Sequence, residues 1–96
     1  MDTILPSEVK DRLGRGEPLT IVDVREDEEV AAGMIAGARH IPLGELPERH
    51  GEIPRTGDII LVCRSGARSS RALGYLASLG YEGLKNMSGG MLEWEN

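Results

Sequence analysis

The chain has a single cysteine, Cys63, among 96 residues, so no internal disulfide can form. Histidine is nearly as scarce: His40 and His50 are the only two, no Cys/His set has the spacing of a zinc site, and no metal is expected. Phenylalanine is absent, and Tyr75, Tyr81 and Trp94 are too few and too scattered to form a base-stacking platform. There is no basic block, and 11 Lys and Arg against 16 Asp and Glu leave a formal net charge of -5. Nucleic acid is therefore not an expected partner. No apolar stretch approaches the length of a bilayer span, and the N-terminus lacks the charged and apolar regions of a signal peptide, so the expectation is a cytoplasmic protein without membrane association. Nor does any long apolar stripe call for a partner subunit, and a monomer is expected. Linkers, repeats and low-complexity tracts are missing too, and the length suits one domain over 1–96 with one site.

What is present alternates between strand-like and helix-like segments, the order of an α/β domain with a largely parallel sheet and helices on both faces. Pro6 suits the first turn of a helix carrying Val9 and Leu13 on one face, stopped by Gly14 or Gly16. Residues 19–24 and 59–62 are the clearest strands, and 38–41 reads as a short one halted by Pro42, with a helical or irregular segment following through Arg49. Glu26, Asp27, Glu28 and Glu29 load a short helix start with acid, which suits the positive end of its dipole, and read as solvated surface. Beyond Ser69, the spacing of Ala72, Leu73, Leu76 and Leu79 describes an apolar helical face closed by Gly80. A last strand over 83–87 and a short helix over 89–94 complete the pattern, with Trp94 as a core plug.

Cys63 carries the chemistry. It follows the β-branched run Ile59-Ile60-Leu61-Val62 and precedes Arg64-Ser65-Gly66-Ala67-Arg68-Ser69-Ser70-Arg71, which puts it at the carboxyl end of a buried strand facing a helix N-terminus. A free cysteine is often an inert buried hydrophobe, so position alone decides nothing. Its neighbours favour reactivity. Acids normally occupy the first turn of a helix, yet Arg64, Arg68 and Arg71 crowd this one, each costing a few tenths of a kcal/mol until an anion arrives. Gly66 and the short side chains around it allow several amide hydrogens to converge on one point. A thiolate there is expected to have a pKa in the range of about 3.5 to 7.5, with no partner histidine required. His40 is read as a structural, hydrogen-bonded residue. Asp23 and Arg25 flank the end of the first clear strand, on the same sheet edge as Cys63, and supply a supporting ion pair; Arg68 is an alternative partner for Asp23.

At these residues the chain resembles the rhodanese family in its single-domain sulfurtransferase form. Four pieces in family order carry the resemblance: residues 21–26 (Ile-Val-Asp-Val-Arg-Glu), residues 33–42, residues 63–69 (Cys-Arg-Ser-Gly-Ala-Arg-Ser) and residues 89–94 (Gly-Gly-Met-Leu-Glu-Trp). Its second piece departs from the usual Gly-His-Ile-Pro-Gly-Ala, because Met34 and Ala36 replace the histidine and proline. The resemblance implies a rhodanese-like five-stranded parallel sheet flanked by helices. It implies that Cys63 carries a persulfide, that Arg64, Ser65, Gly66, Ala67, Arg68 and Ser69 form the loop that binds substrate, and that Arg64 and Arg68 receive an anionic donor. The reaction implied moves a sulfane sulfur from thiosulfate or a persulfide to cyanide, a thiol or a sulfur-relay protein, with no cofactor.

Phosphatases of related fold place five residues between cysteine and arginine, whereas Cys63 and Arg68 are separated by four. The shorter ring suits one added sulfur better than a phosphoryl group, and no general acid for a leaving alcohol is evident. A phosphatase or arsenate reductase and a non-catalytic interaction module remain the alternatives.

Overall fold

The computed structural model describes residues 2–94. Five parallel strands form one sheet in the order β1-β5-β4-β2-β3, with β1 at Thr3–Ile4, β2 at Thr20–Asp23, β3 at Arg39–His40, β4 at Ile59–Val62 and β5 at Leu84–Met87. The helices are α1 (Pro6–Gly14), α2 (Asp27–Ala31), α3 (Leu46–Arg49), α4 (Ala67–Ser78) and α5 (Gly90–Trp94), with single 3-10 turns on either side of α3. A parallel sheet of this kind is covered on both faces, which is why β4 is apolar at every position and all four of its residues are buried.

Strand parity divides the core in two. Ile59, Leu61 and Cys63 point with Val22, Val24 and Leu84 toward Leu46 of α3 and Ala72 and Leu76 of α4. Ile60 and Val62 point the other way, with Ile21 and Met87, toward Val9 of α1 and Met91 of α5. Cys63 continues the alternation of β4 by one residue and so inherits the α4 side. Leu76 is fully buried in that layer, and truncation to alanine there should cost about 2–5 kcal/mol.

The elements match the periodicity except at three places. β1 is two residues long and has too little sequence for an alternating pattern; it is held by Asn86 and Ser88 amides donating to Asp2 and Ile4 carbonyls. α4 begins at Ala67, three residues before the expected start, so Ala67, Arg68 and Ser69 belong to its first turn and only Arg64, Ser65 and Gly66 form a true loop. Trp94 is not a core plug. It is half-buried against the second cluster, with Lys10 Nζ 4.8 Å from its ring centre and 2.7 Å from its carbonyl oxygen, and it ties α5 to α1. Among the described residues no helix is long and apolar enough to cross a membrane.

Candidate functional site

Cys63 is only 1% exposed, yet its sulfur is not packed as a hydrocarbon. The Gly66 amide donates to Sγ at 3.0 Å and the Ser69 hydroxyl lies 3.3 Å away. The amides of Ser65 and Ser69 add to the ring. This convergence follows from local chain chemistry. Gly66 sits at φ 108°, a left-handed conformation natural to glycine, and serves as the N-cap of α4. The first intrahelical bond runs from Ser70 N–H to Gly66 O at 3.1 Å, which leaves the preceding first-turn amides without helical acceptors. Burial is the largest influence on the thiol and pushes its pKa up. The Ser69 hydroxyl and the amides of Ser69, Gly66 and Ser65 together outweigh burial, and the net pKa lies below that of an ordinary thiol. The direction is the one the electropositive surroundings imply.

A ring of inward amides needs its carbonyls held elsewhere, and α5 holds two of them. Met91 N–H donates to Cys63 O at 2.8 Å and Leu92 N–H to Arg64 O at 3.0 Å. Gly90, at φ 61°, brings the helix start so close that a Cβ there would overlap the Cys63 and Arg64 carbonyls. On the other side, Asn86 of β5 donates from Nδ2 to Gly66 O at 3.1 Å and accepts the Ser69 hydroxyl on Oδ1 at 2.5 Å. Asn86 is buried, and no buried side-chain polar atom of the described residues lacks a hydrogen-bond partner.

Among the charged residues one pair is as expected and one is not. Asp23 pairs with Arg25 and not with Arg68: Arg25 Nη2 lies 2.8 Å and Nε 3.0 Å from the Asp23 carboxylate, and the Arg25 amide 3.0 Å. Arg25 also donates to Gly33 O at 2.8 Å, and His40 Nε2 lies 2.7 Å from Arg25 O, so the buried pair braces the turn between β2 and α2. His40 is hydrogen-bonded to backbone, as expected. Glu29 is the departure from a solvated acidic surface. Its carboxylate receives both terminal nitrogens of Arg68, at 2.6 and 2.9 Å, and the Glu26 amide at 3.0 Å. The Arg68 guanidinium, followed by the Glu26 amide, holds Glu29 down to about 2, well below its ordinary 4.5. The anion missing from the α4 start thus comes, for Arg68, from α2. Arg64 stays exposed, and together with Arg25, Glu29, Met91 and Leu92 it lines a cleft of about 160 Å³ beside the cysteine loop. A roomier cleft of about 350 Å³, walled by Leu5, Pro6, Ser7, Ser88, Gly89 and Glu93, contains neither the thiol nor an arginine.

The structure therefore brings Ser65, Gly66 and Ser69 to the Cys63 sulfur, with Arg64 exposed at the neighbouring cleft, Arg68 held by Glu29, Ala67 in the first turn of α4, and Asp23 and Arg25 as bracing. Sequence reasoning missed Glu29, Asn86 and Gly90. A polar residue at an inward strand position flags Asn86, and the paired glycines at 89 and 90 flag a close approach; Glu29 carries no such signal, because its partner is 39 residues away.

Family comparison agrees with this geometry. The chain belongs to the rhodanese-like domain family, whose model matches residues 5–96. A sulfurtransferase of Allochromatium vinosum is 42% identical over 83 residues, covering 86% of this chain and 78% of that protein. YtwF of Bacillus subtilis is 41% identical over 87 residues, covering 91% and 84%. The crystal structure of a rhodanese-like domain protein from Staphylococcus aureus superposes with a TM-score of 0.92 at 36% identity, over 98% of this chain and 91% of that one.

Proposed function

We propose that the protein transfers sulfane sulfur through a persulfide on Cys63, taking it from thiosulfate or a low-molecular-weight persulfide and passing it to cyanide, a small thiol or the thiol of a partner protein. The observation that carries this reading is the Cys63 sulfur held by the Gly66 amide at 3.0 Å within a ring of amides, at the start of a helix with no acid in its first turn. In the first half-reaction the thiolate attacks the outer sulfur of thiosulfate. The S–S bond of the donor breaks and sulfite leaves with the electron pair, so charge is conserved and no redox partner is consumed. In the second half, the acceptor attacks the outer sulfur of the persulfide and Cys63 departs as thiolate. One group is thus nucleophile first and leaving group later, and a ring of fixed amides stabilises it in both roles with little reorganisation. Arg64 is the donor's anchor, because Arg68 is already occupied by Glu29.

The test is intact-protein mass spectrometry after thiosulfate treatment and removal of excess donor. A gain of one sulfur, localised to Cys63 and discharged by cyanide as thiocyanate, is expected. Unchanged mass with both thiosulfate and an organic persulfide would overturn the reading.

A further inference from the structure

Ser69 offers one hydroxyl proton to two acceptors. Its Oγ lies 2.5 Å from Asn86 Oδ1 and 3.3 Å from Cys63 Sγ, and the three side chains are buried together, with Ser69 at 0%, Cys63 at 1% and Asn86 at 6% exposure. The Asn86 amide cannot turn over to relieve the competition. Its Nδ2 donates to Gly66 O at 3.1 Å, and rotation would set an oxygen against that carbonyl. We propose that Asn86 is a positioning residue for Cys63: it clamps the loop through Gly66 and parks the Ser69 proton whenever the cysteine sulfur carries no charge.

The chemistry requires such a device twice per turnover. In the thiol state, Cys63 S–H faces the Ser69 oxygen and the hydroxyl proton belongs to Asn86. When the thiolate forms, the Ser69 O–H swings to the sulfur, and Asn86 Oδ1 gives up a neutral hydrogen bond for a charge-assisted one elsewhere. Once sulfur is accepted, the negative charge moves to the outer atom, the inner sulfur is neutral, and the proton returns to Asn86. Gly66 N–H stays aimed throughout, because its own carbonyl is held on Asn86 Nδ2.

The proposal rests on the Cys63 reading above, but it is tested without a sulfur donor. As the only cysteine, Cys63 reports its ionisation through the pH dependence of iodoacetamide alkylation. Ser69→Ala should move the midpoint up by about one pH unit, a tenfold change in proton affinity, and Ser69→Thr should restore it. Asn86→Leu removes the Oδ1 acceptor and the Nδ2 donor without adding a charge. Loss of the clamp raises the midpoint, and in the wild-type background the Ser69 proton freed for the sulfur offsets that rise, so the upward shift should be larger in the Ser69→Ala background. Equal effects in both backgrounds would overturn the proposal. If Asn86→Leu does not fold, the wild-type protein suffices: the Asn86 side-chain amide resonances should titrate at the Cys63 midpoint and lose most of that shift in Ser69→Ala. A shift that persists undiminished overturns the proposal equally. Failure of sulfur uptake counts against the transferase reading, whereas independent Asn86 and Ser69 effects with sulfur uptake intact count against this one alone.

Discussion

The Glu29 carboxylate grips Arg68 at both terminal nitrogens, 2.6 and 2.9 Å away, and so joins α2 to the first turn of α4 across the mouth of the cysteine loop. Two cations near the thiol are thereby made unequal. Arg68 is a neutralised strut whose charge is matched within the protein, and Arg64 is the cation whose carboxylate partner is not found among the described residues.

Glu29→Gln should lower stability at pH 7 by about 1–2 kcal/mol, allowing for solvent screening of a group that is partly exposed. The sign of the pH dependence is fixed by the lowered pKa. Stabilisation by Glu29 is complete above its unfolded value near 4.5 and is lost as pH falls toward about 2. Urea unfolding at pH 7 and pH 3 should therefore show the gap between wild type and variant closing by about half or more at the lower pH. A gap that stays constant would show that the charge on Glu29 contributes nothing to folding.

The sheet was legible because strand composition reports burial. Ile59 to Val62 could be nothing but a strand covered on both faces, and the position of Cys63 at its end followed at once. The same rule gave β2, and helical spacing gave α4. What could not be read were pairings between distant segments. Glu29 sits among four consecutive acids that are identical to a solvated helix start, and only the approach of α2 to α4 selects one of them. β1 was hidden for another reason, since two residues define no period. The start of α4 was not legible because Ala67, Arg68 and Ser69 read as part of the loop, whereas the left-handed Gly66 already caps the helix.

Asp23→Ala removes the carboxylate that takes the Arg25 amide, Nε and Nη2. Asp23 is 1% exposed and Arg25 5%, so the substitution strands a buried guanidinium, at a cost of about 3–5 kcal/mol. For a domain of this size the melting temperature should fall by more than about 10 °C. Calorimetry of the variant checks this. A loss below a few degrees would mean that Gly33 O and the Glu29 carbonyl hold Arg25 without the aspartate.

Gly90→Ala tests whether α5 shapes the loop. The added methyl meets backbone on both sides of the Cys63–Arg64 peptide, and backbone cannot rotate away as a side chain can. Left-handed φ at a non-glycine residue adds about 1–2 kcal/mol of strain. Sulfur transfer should drop at least about tenfold while the fold persists, because a shift of the carbonyls turns the amides off the sulfur by the small displacement that positioning does not tolerate. Circular dichroism and transfer kinetics measured together decide it, and a folded variant with full activity would detach α5 from function.

Arg64→Ala addresses the proposed anchor for the donor. The side chain is exposed at the rim of the cleft, so its field acts on an incoming dianion through water and should be weakened by salt. A cation that binds donor and transition state alike changes KM and leaves kcat in place. The variant should therefore need about tenfold more thiosulfate, about 1.4 kcal/mol of binding, with kcat within about twofold of wild type. Raising ionic strength should increase KM in the wild type more than in the variant. Alkylation by neutral iodoacetamide should be nearly unchanged, because the amide ring and not Arg64 holds the thiolate. A fall in kcat at constant KM would assign Arg64 instead to the departing sulfite, where its charge acts only as the S–S bond breaks.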